Sequence, residues 1–320
     1  MSNHSRREFV AATGLAGITA LAGCADLTGS GDGEDGGTTR LSWHAGGTGG
    51  TYFPLSNEIK QVVEENSDFK LQVQSTGASV ENVGSLGSGD ADFALIQNDV
   101  AYFAKNGEGI DAFKGNPVEN LRGVATLYPE TITIVTLKDT GITKPADLEG
   151  KRINTGDLGS GTQVNALQIL EALGISEFDE QNAGFSTAAD QLKNGDIDAA
   201  FVVGGWPVGA IQDLANTNDA DIVPIAGENR QKVLDAAPFY AEDTIPGGTY
   251  SGISSKRETV SVQAMIATRE ELEASTVEDV TAAIFDNVGD LTIKTDFISK
   301  DSAQDGMSID LHEGASSYFG

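Results

Sequence analysis

"SLGSGDADFALIQ" at 85–97 and "QLKNGDIDAAFVV" at 191–203 are two versions of one pattern in a chain of 320 residues. Each has a Leu, then Gly-Asp-x-Asp-x-Ala, then an apolar run. A glycine so placed ends a helix. The Asp pair turns the chain, and the apolar run reads as a buried strand. With one copy in each half, the repeat predicts two lobes built alike.

The surrounding sequence extends this reading. From Arg40 onward, strand and helix patterns alternate, as in an α/β sheet. "RLSWHAG" is a short strand, "YFPLSNEIKQVVEE" has helical apolar spacing, and "FKLQVQS" alternates as a strand. "ASVENVGSLGSG" reads as a helix, and "ADFALIQ" as a buried strand. "LRGVATLYPETITIVTLKDTGI" (121–142) is a long strand pattern broken by Pro129, as expected of a strand that changes lobe. "TYSGISSKRETVSVQAMIATREEL" (249–272) supplies a passage back. Two crossings make the second lobe an insert in the first, with a cleft between them and a two-strand hinge. The expected boundaries are lobe 1 at 40–127 plus 246–320 and lobe 2 at 128–245.

Four loops lie where strands give way to helices: "GGTGGTYF" (46–53), "STGASVEN" (75–82), "GDLGSGT" (156–162) and "VGGWPVGAI" (203–211), with Pro207 suited to the first helical position. In open α/β sheets, ligands sit at these carboxyl ends of strands. None of the loops has the Lys of a phosphate-binding P-loop, and Gly47 and Gly49 are followed by Tyr52 rather than a third Gly. No serine has a nucleophile-elbow pattern, and neither His44 nor His312 has a local catalytic partner. The loops offer amides and hydroxyls with few cations, which suits a small carboxylate. A tight connection with ordinary caps is the plainer reading of any one of them. No catalytic residue, cofactor or metal is expected.

Composition narrows the class further. With 48 acidic against 20 basic residues, the net charge is −28, the wrong sign for a nucleic-acid surface. The acids are scattered through regular apolar patterns, so the chain reads as folded with an acidic skin, of halophilic type. The single Cys and three His argue against a disulfide framework or a Cys/His zinc site. Residues 1–23 carry Arg6 and Arg7, a short apolar run and "LAGC", and resemble a twin-arginine export signal ending in a lipobox. Cys24 would then bear a lipid, and 24–39 would be a flexible acidic tether. A short N-terminal helix with a buried Cys is the structural alternative. The expected location is the outer face of the cytoplasmic membrane.

"GTGGTYFPLS", "STGASVENVGSLGSGDADFALIQNDVAYFA", "LRGVATLYPETITIV", "DLEGKRINTGDLGSGTQVNALQILEALGI", "IPGGTY" and "LHEGASSYF" resemble, in order, the TAXI-type solute receptors of TRAP (tripartite ATP-independent periplasmic) transporters. The resemblance spans nearly all of 40–320, with Glu313 standing where the family pattern has Pro. It implies a type II periplasmic-binding-protein fold. It also implies a monomeric receptor, not an enzyme, that delivers a glutamate-like amino acid or a C4/C5 dicarboxylate to a membrane permease. A receptor for an ABC importer or a sensor kinase would share the fold, and an enzyme or an adhesive lipoprotein is the more distant alternative. By position, Gly49, Gly50, Thr51, Tyr52, Thr76, Gly77, Ser79, Asn82, Gln97 and Asp99 would line lobe 1. Ser160, Gly161 and Thr162 would close from lobe 2, with Trp206 flanking. Tyr52 and Trp206 could instead be ordinary half-buried aromatics, and Asp99 the cap of "VAYFA". No Arg lies within the loops; Arg122 and Arg152 are near them in sequence. Asp99 or Glu130 facing the cleft would favour an ammonium group on the ligand.

Overall fold

The structure is a computed structural model that describes residues 39–320. The segment read as an export signal, Cys24 and nearly all of the segment read as a tether lie outside the described residues.

The first half runs β1 (Thr39–His44), α1 (Tyr52–Asn66), β2 (Phe69–Gln74), α2 (Ser79–Ser88), β3 (Phe93–Gln97), α3 (Asn98–Asn106) and β4 (Leu121–Leu137). The second runs β5 (Arg152–Asn154), α4 (Gly161–Leu173), β6 (Asp179–Gln181), α5 (Phe185–Asn194), β7 (Ala199–Val203), α6 (Gly209–Thr217), β8 (Ala220–Val223), α7 (Glu228–Ala236) and β9 (Ala241–Ile245). The chain ends with β10 (Arg257–Arg269), α8 (Ala274–Phe285) and α9 (Glu313–Phe319). Helix α1 forms because Leu55, Ile59, Val62 and Val63 recur at helical spacing and all are buried on one face.

The two halves share one topology. β1 lies between β2 and β3, parallel to both, and β3 meets antiparallel β10. β5 lies between β6 and β7, parallel to both, and β7 meets antiparallel β4. The repeat read from the sequence occupies equivalent places. Gly89 (φ 84°) ends α2 and Gly195 (φ 72°) ends α5, both left-handed and so suited to glycine. The second Asp of each copy then does more than turn the chain. Asp92 accepts from the Ser42 amide of β1 at 2.8 Å and from Arg269 at 3.0 Å. Asp198 accepts from the Arg152 amide of β5 at 2.9 Å and from its guanidinium at 2.7 Å. Each carboxylate pins a helix end to the neighbouring parallel strand.

Helices cover both faces of each half, giving two cores per lobe. Trp43, Leu55, Phe93 and Ile284 lie in one core of the first lobe, and Val83, Ile96 and Val100 in the other. Ile153, Ile169 and Phe201 lie in one core of the second lobe, and Ala188, Val202 and Leu214 in the other. Two strands belong to both lobes. β4 puts Val124 and Leu127 into the first lobe's core and Ile132 and Ile134 into the second's. β10 puts Val260 and Val262 into the second and Ala264 and Ile266 into the first. Pro129 does not end β4; it pairs with Gln263, beside a register shift before Met265. The Gln263 amide is met instead by the Asn98 side chain at 3.0 Å. The result is a type II periplasmic-binding-protein fold, two lobes joined by a two-strand hinge.

Candidate functional site

At the carboxyl ends of β1, β2, β3, β5, β6 and β7 lies a cavity of about 70 Å³, room for several waters or one small solute. The two halves contribute equivalent positions. Gly50–Thr51 at the head of α1 answers Gly161–Thr162 at the head of α4. Gly77 before α2 answers Gly184 before α5, and Gln97 ending β3 answers Val203 ending β7. Glu130 enters from the hinge strand β4.

Of the residues singled out from the sequence, the cavity lining includes Gly49, Gly50, Thr51, Tyr52, Thr76, Gly77, Ser79, Gln97, Glu130, Ser160, Gly161 and Thr162. Asn82, Asp99 and Trp206 do not line it. Asn82 is fully buried and ties loops together, donating to the Ala45 and Leu95 carbonyls at 2.7 and 2.8 Å. It also accepts from Thr76 Oγ1 at 2.7 Å, so the Thr76 hydroxyl is engaged in shaping its own loop. Trp206 is half-buried, and its carbonyl accepts from Lys294 Nζ. Pro207 lies outside α6, which starts two residues later at Gly209. Arg122 pairs with Glu270 and Arg152 with Asp198, and neither reaches the cavity.

Gly46, Gly47, Ala78, Asp157 and Val203 also line the cavity; they fall in the four loops read from the sequence but were not singled out, whereas Gly184 and Phe185 lie outside those loops and were missed. Gly184 and Phe185 sit in "NAGFST" after β6. Extending the repeat one loop further back, to set "STGAS" beside "NAGFS", would have found them. Ala78 holds φ at 73°, a conformation that costs an L-residue energy and recurs at functional sites.

The lobes meet around the cavity through hydrogen bonds that use up several helix-head groups. The Val80 and Glu81 amides, at the start of α2, donate to the Gly159 carbonyl at 3.2 and 3.3 Å. The Ala210 amide of α6 donates to the Gly49 carbonyl at 3.2 Å, and Thr51 Oγ1 to the Gly205 carbonyl at 3.2 Å. The Gly77 amide is taken by Glu81 Oε2 at 2.6 Å. Behind the cavity, Asn165 of α4 donates to Asp99 Oδ2 of α3 at 2.7 Å, with both side chains fully buried. A side chain on Gly161 would collide with Gln97 Oε1, so glycine there lets the lobes approach. Among the described residues, nothing accepts from the amides of Thr51, Tyr52, Gly161 or Thr162.

Burial dominates the electrostatics. It pushes the Glu130 carboxyl up to about 8, with Asp99 adding to the rise and Tyr128, Lys294 and Gln97 opposing it. It pushes Asp99 up to about 6 against the Asn165 hydrogen bond. The Tyr52 and Tyr128 hydroxyls are held well above their ordinary value, burial first and the Glu130 charge second. Among the described residues, no group of three or more His, Cys, Asp and Glu side chains could hold a metal ion.

The fold and the cavity place the chain among two-lobed proteins with an interlobe pocket. The profile of the NMT1-like family matches residues 44–320, and the chain belongs to that family. A structure from Bordetella bronchiseptica RB50 is similar at 14% identity, over 88% of this chain and 82% of that one, with a TM-score of 0.53. The substrate binding protein of an amino acid ABC transporter matches at 15% identity, over 77% and 91%, with a TM-score of 0.46. Holo ArgBP from T. maritima matches at 13% identity, over 77% and 88%, with a TM-score of 0.47. At these identities the likeness is one of fold.

Proposed function

We propose that the protein is an extracytoplasmic solute receptor, not an enzyme. It captures a small carboxylate, a glutamate-like amino acid or a C4/C5 dicarboxylate, between lobe 1 (40–127 plus 246–320) and lobe 2 (128–245). The observation that carries this is the cavity at the lobe junction, lined by matching loops from both halves, with amides heading α1 and α4 that no described residue accepts from. Helix heads with free amides suit a carboxylate without a cation. Strands β4 and β10, shared between the lobes, supply a hinge about which capture can close the cleft. The resemblance to TAXI-type receptors supports a TRAP permease as the partner, and "LAGC" supports a lipid anchor at Cys24.

The test uses protein stripped of bound solute by unfolding and refolding, in molar salt. Thermal shift and calorimetry are run with glutamate, glutamine, 2-oxoglutarate, succinate, malate and fumarate. At 100 times its dissociation constant, a true ligand stabilises the fold by about 2.7 kcal/mol. Small-angle scattering then shows compaction. If no acid in the panel shifts the melt or compacts the protein, the receptor reading falls. Uptake into membrane vesicles driven by an ion gradient supports the TRAP partner, and a requirement for ATP assigns an ABC importer instead. Retention of Cys24→Ala on membranes as firmly as the parent rules out the anchor.

A further inference from the structure

We infer that Glu130 sets the specificity of the cleft: its carboxylate receives the ammonium group of the solute, so the receptor selects an amino acid over the matching 2-oxo acid or dicarboxylate. The inference rests on the receptor reading above and narrows it.

Glu130 lines the cavity, yet it is only 3% exposed. Among the described residues its Oε1 has no hydrogen-bond partner and its carboxyl forms no ion pair. Gln97 Oε1, on the same cavity wall and 2% exposed, is also without a partner. Buried acceptors of this kind are costly unless something donates to them. The residues lining the cavity include no Lys, Arg or His, and the hydroxyls of Tyr52 and Tyr128 beside Glu130 are neutral donors, so a cationic donor at this wall comes from the solute. The same cavity offers the unpaired amides at the heads of α1 and α4, which call for a carboxylate. A solute that satisfies both sets carries an ammonium and a carboxylate. A dicarboxylate or a 2-oxo acid brings no ammonium to this wall.

The groups that face Glu130 leave this role open. Tyr128 from its own strand, Tyr52 from α1 and Asp99 from α3 are neutral or acidic. The cation nearby is Lys294, from the segment after α8. Its amine is turned to the Trp206 carbonyl, over the rings of Trp206 at 5.1 Å and Tyr128 at 5.9 Å, and among the described residues it is in no ion pair. Because burial raises Glu130 to about 8, its carboxyl carries a proton at neutral pH when no ammonium is present. An arriving ammonium keeps its own three protons and ionises Glu130, whose proton goes to solvent. No other bond changes.

Calorimetry on the refolded full-length protein tests this with matched probes: L-glutamate beside 2-oxoglutarate and glutarate, and L-alanine beside pyruvate. Each is titrated at neutral pH in two buffers of different ionisation enthalpy. The expected result is a preference of tenfold or more for one amino acid over its oxo acid, with close to one proton released per solute bound. Glu130→Gln removes the proton release and most of the preference. If that variant does not fold, proton release by the parent protein still decides. An oxo acid or dicarboxylate that binds as well as the amino acid, or binding without proton release, overturns the role of Glu130 and leaves the cleft reading standing. Silence from every acid overturns both.

Discussion

Glu130 and Asp99 are buried carboxyl groups, and both are held above their ordinary values of 4.5 and 3.8. A raised carboxyl keeps its proton in the folded state after the unfolded chain has lost it. The folded state therefore binds more protons, and stability falls as pH rises. For Asp99 the loss runs from 3.8 to about 6, and for Glu130 from 4.5 to about 8. Melts of the solute-free protein in molar salt should show a midpoint that drops by several degrees between about pH 5 and about pH 8. Glu130→Gln should flatten the upper part of that drop, and Asp99→Asn the lower part. Parallel curves for parent and variants would show that neither group is buried as described. The sequence placed both acids near the cleft. It could not show that Asp99 turns away from the cavity to Asn165, since that contact joins residues 66 positions apart.

At the level of elements, order and type were largely legible, because apolar period and turn residues are local signals. The repeat was legible too, and the structure supplies its physical cause. Asp92 and Asp198 each accept a backbone amide from the adjacent parallel strand, a bond that would go unmet without the carboxylate. Asp92→Ala and Asp198→Ala should each cost about 1–3 kcal/mol in chemical denaturation. Two neutral substitutions would reduce the repeat to a coincidence of turn chemistry. The strand read as changing lobe at Pro129 does so, though the proline does not end it. Proline removes one ladder donor, and here it falls at a register shift, where such a loss is tolerated. The facing Gln263 amide donates to the Asn98 side chain, a contact between residues 165 positions apart that has no signature in the local pattern.

For the molecule as a whole, a net charge of −28 makes self-repulsion a standing cost to the compact state. Ion pairs such as Lys138–Asp219 and Lys300–Asp286 are exposed and offset little of it. At molar salt, screening acts over about 3 Å. Melts from low to molar sodium chloride should therefore show the midpoint climbing by 10 °C or more, on the order of 5 kcal/mol for a domain of this size. A flat midpoint would mean that the charges are balanced locally. The two-lobed plan, its repeat, the shared strands and the glycine-rich helix heads all follow from spacing and residue type along the chain. Which of those heads remain open to a solute does not. α2 donates to Gly159, α6 to Gly49, and Gly77 to Glu81, while among the described residues nothing accepts from the first amides of α1 and α4 or pairs with the buried Glu130 Oε1. Helix and turn signals act over a few residues, whereas these pairings join atoms up to 161 positions apart and form when the lobes come together.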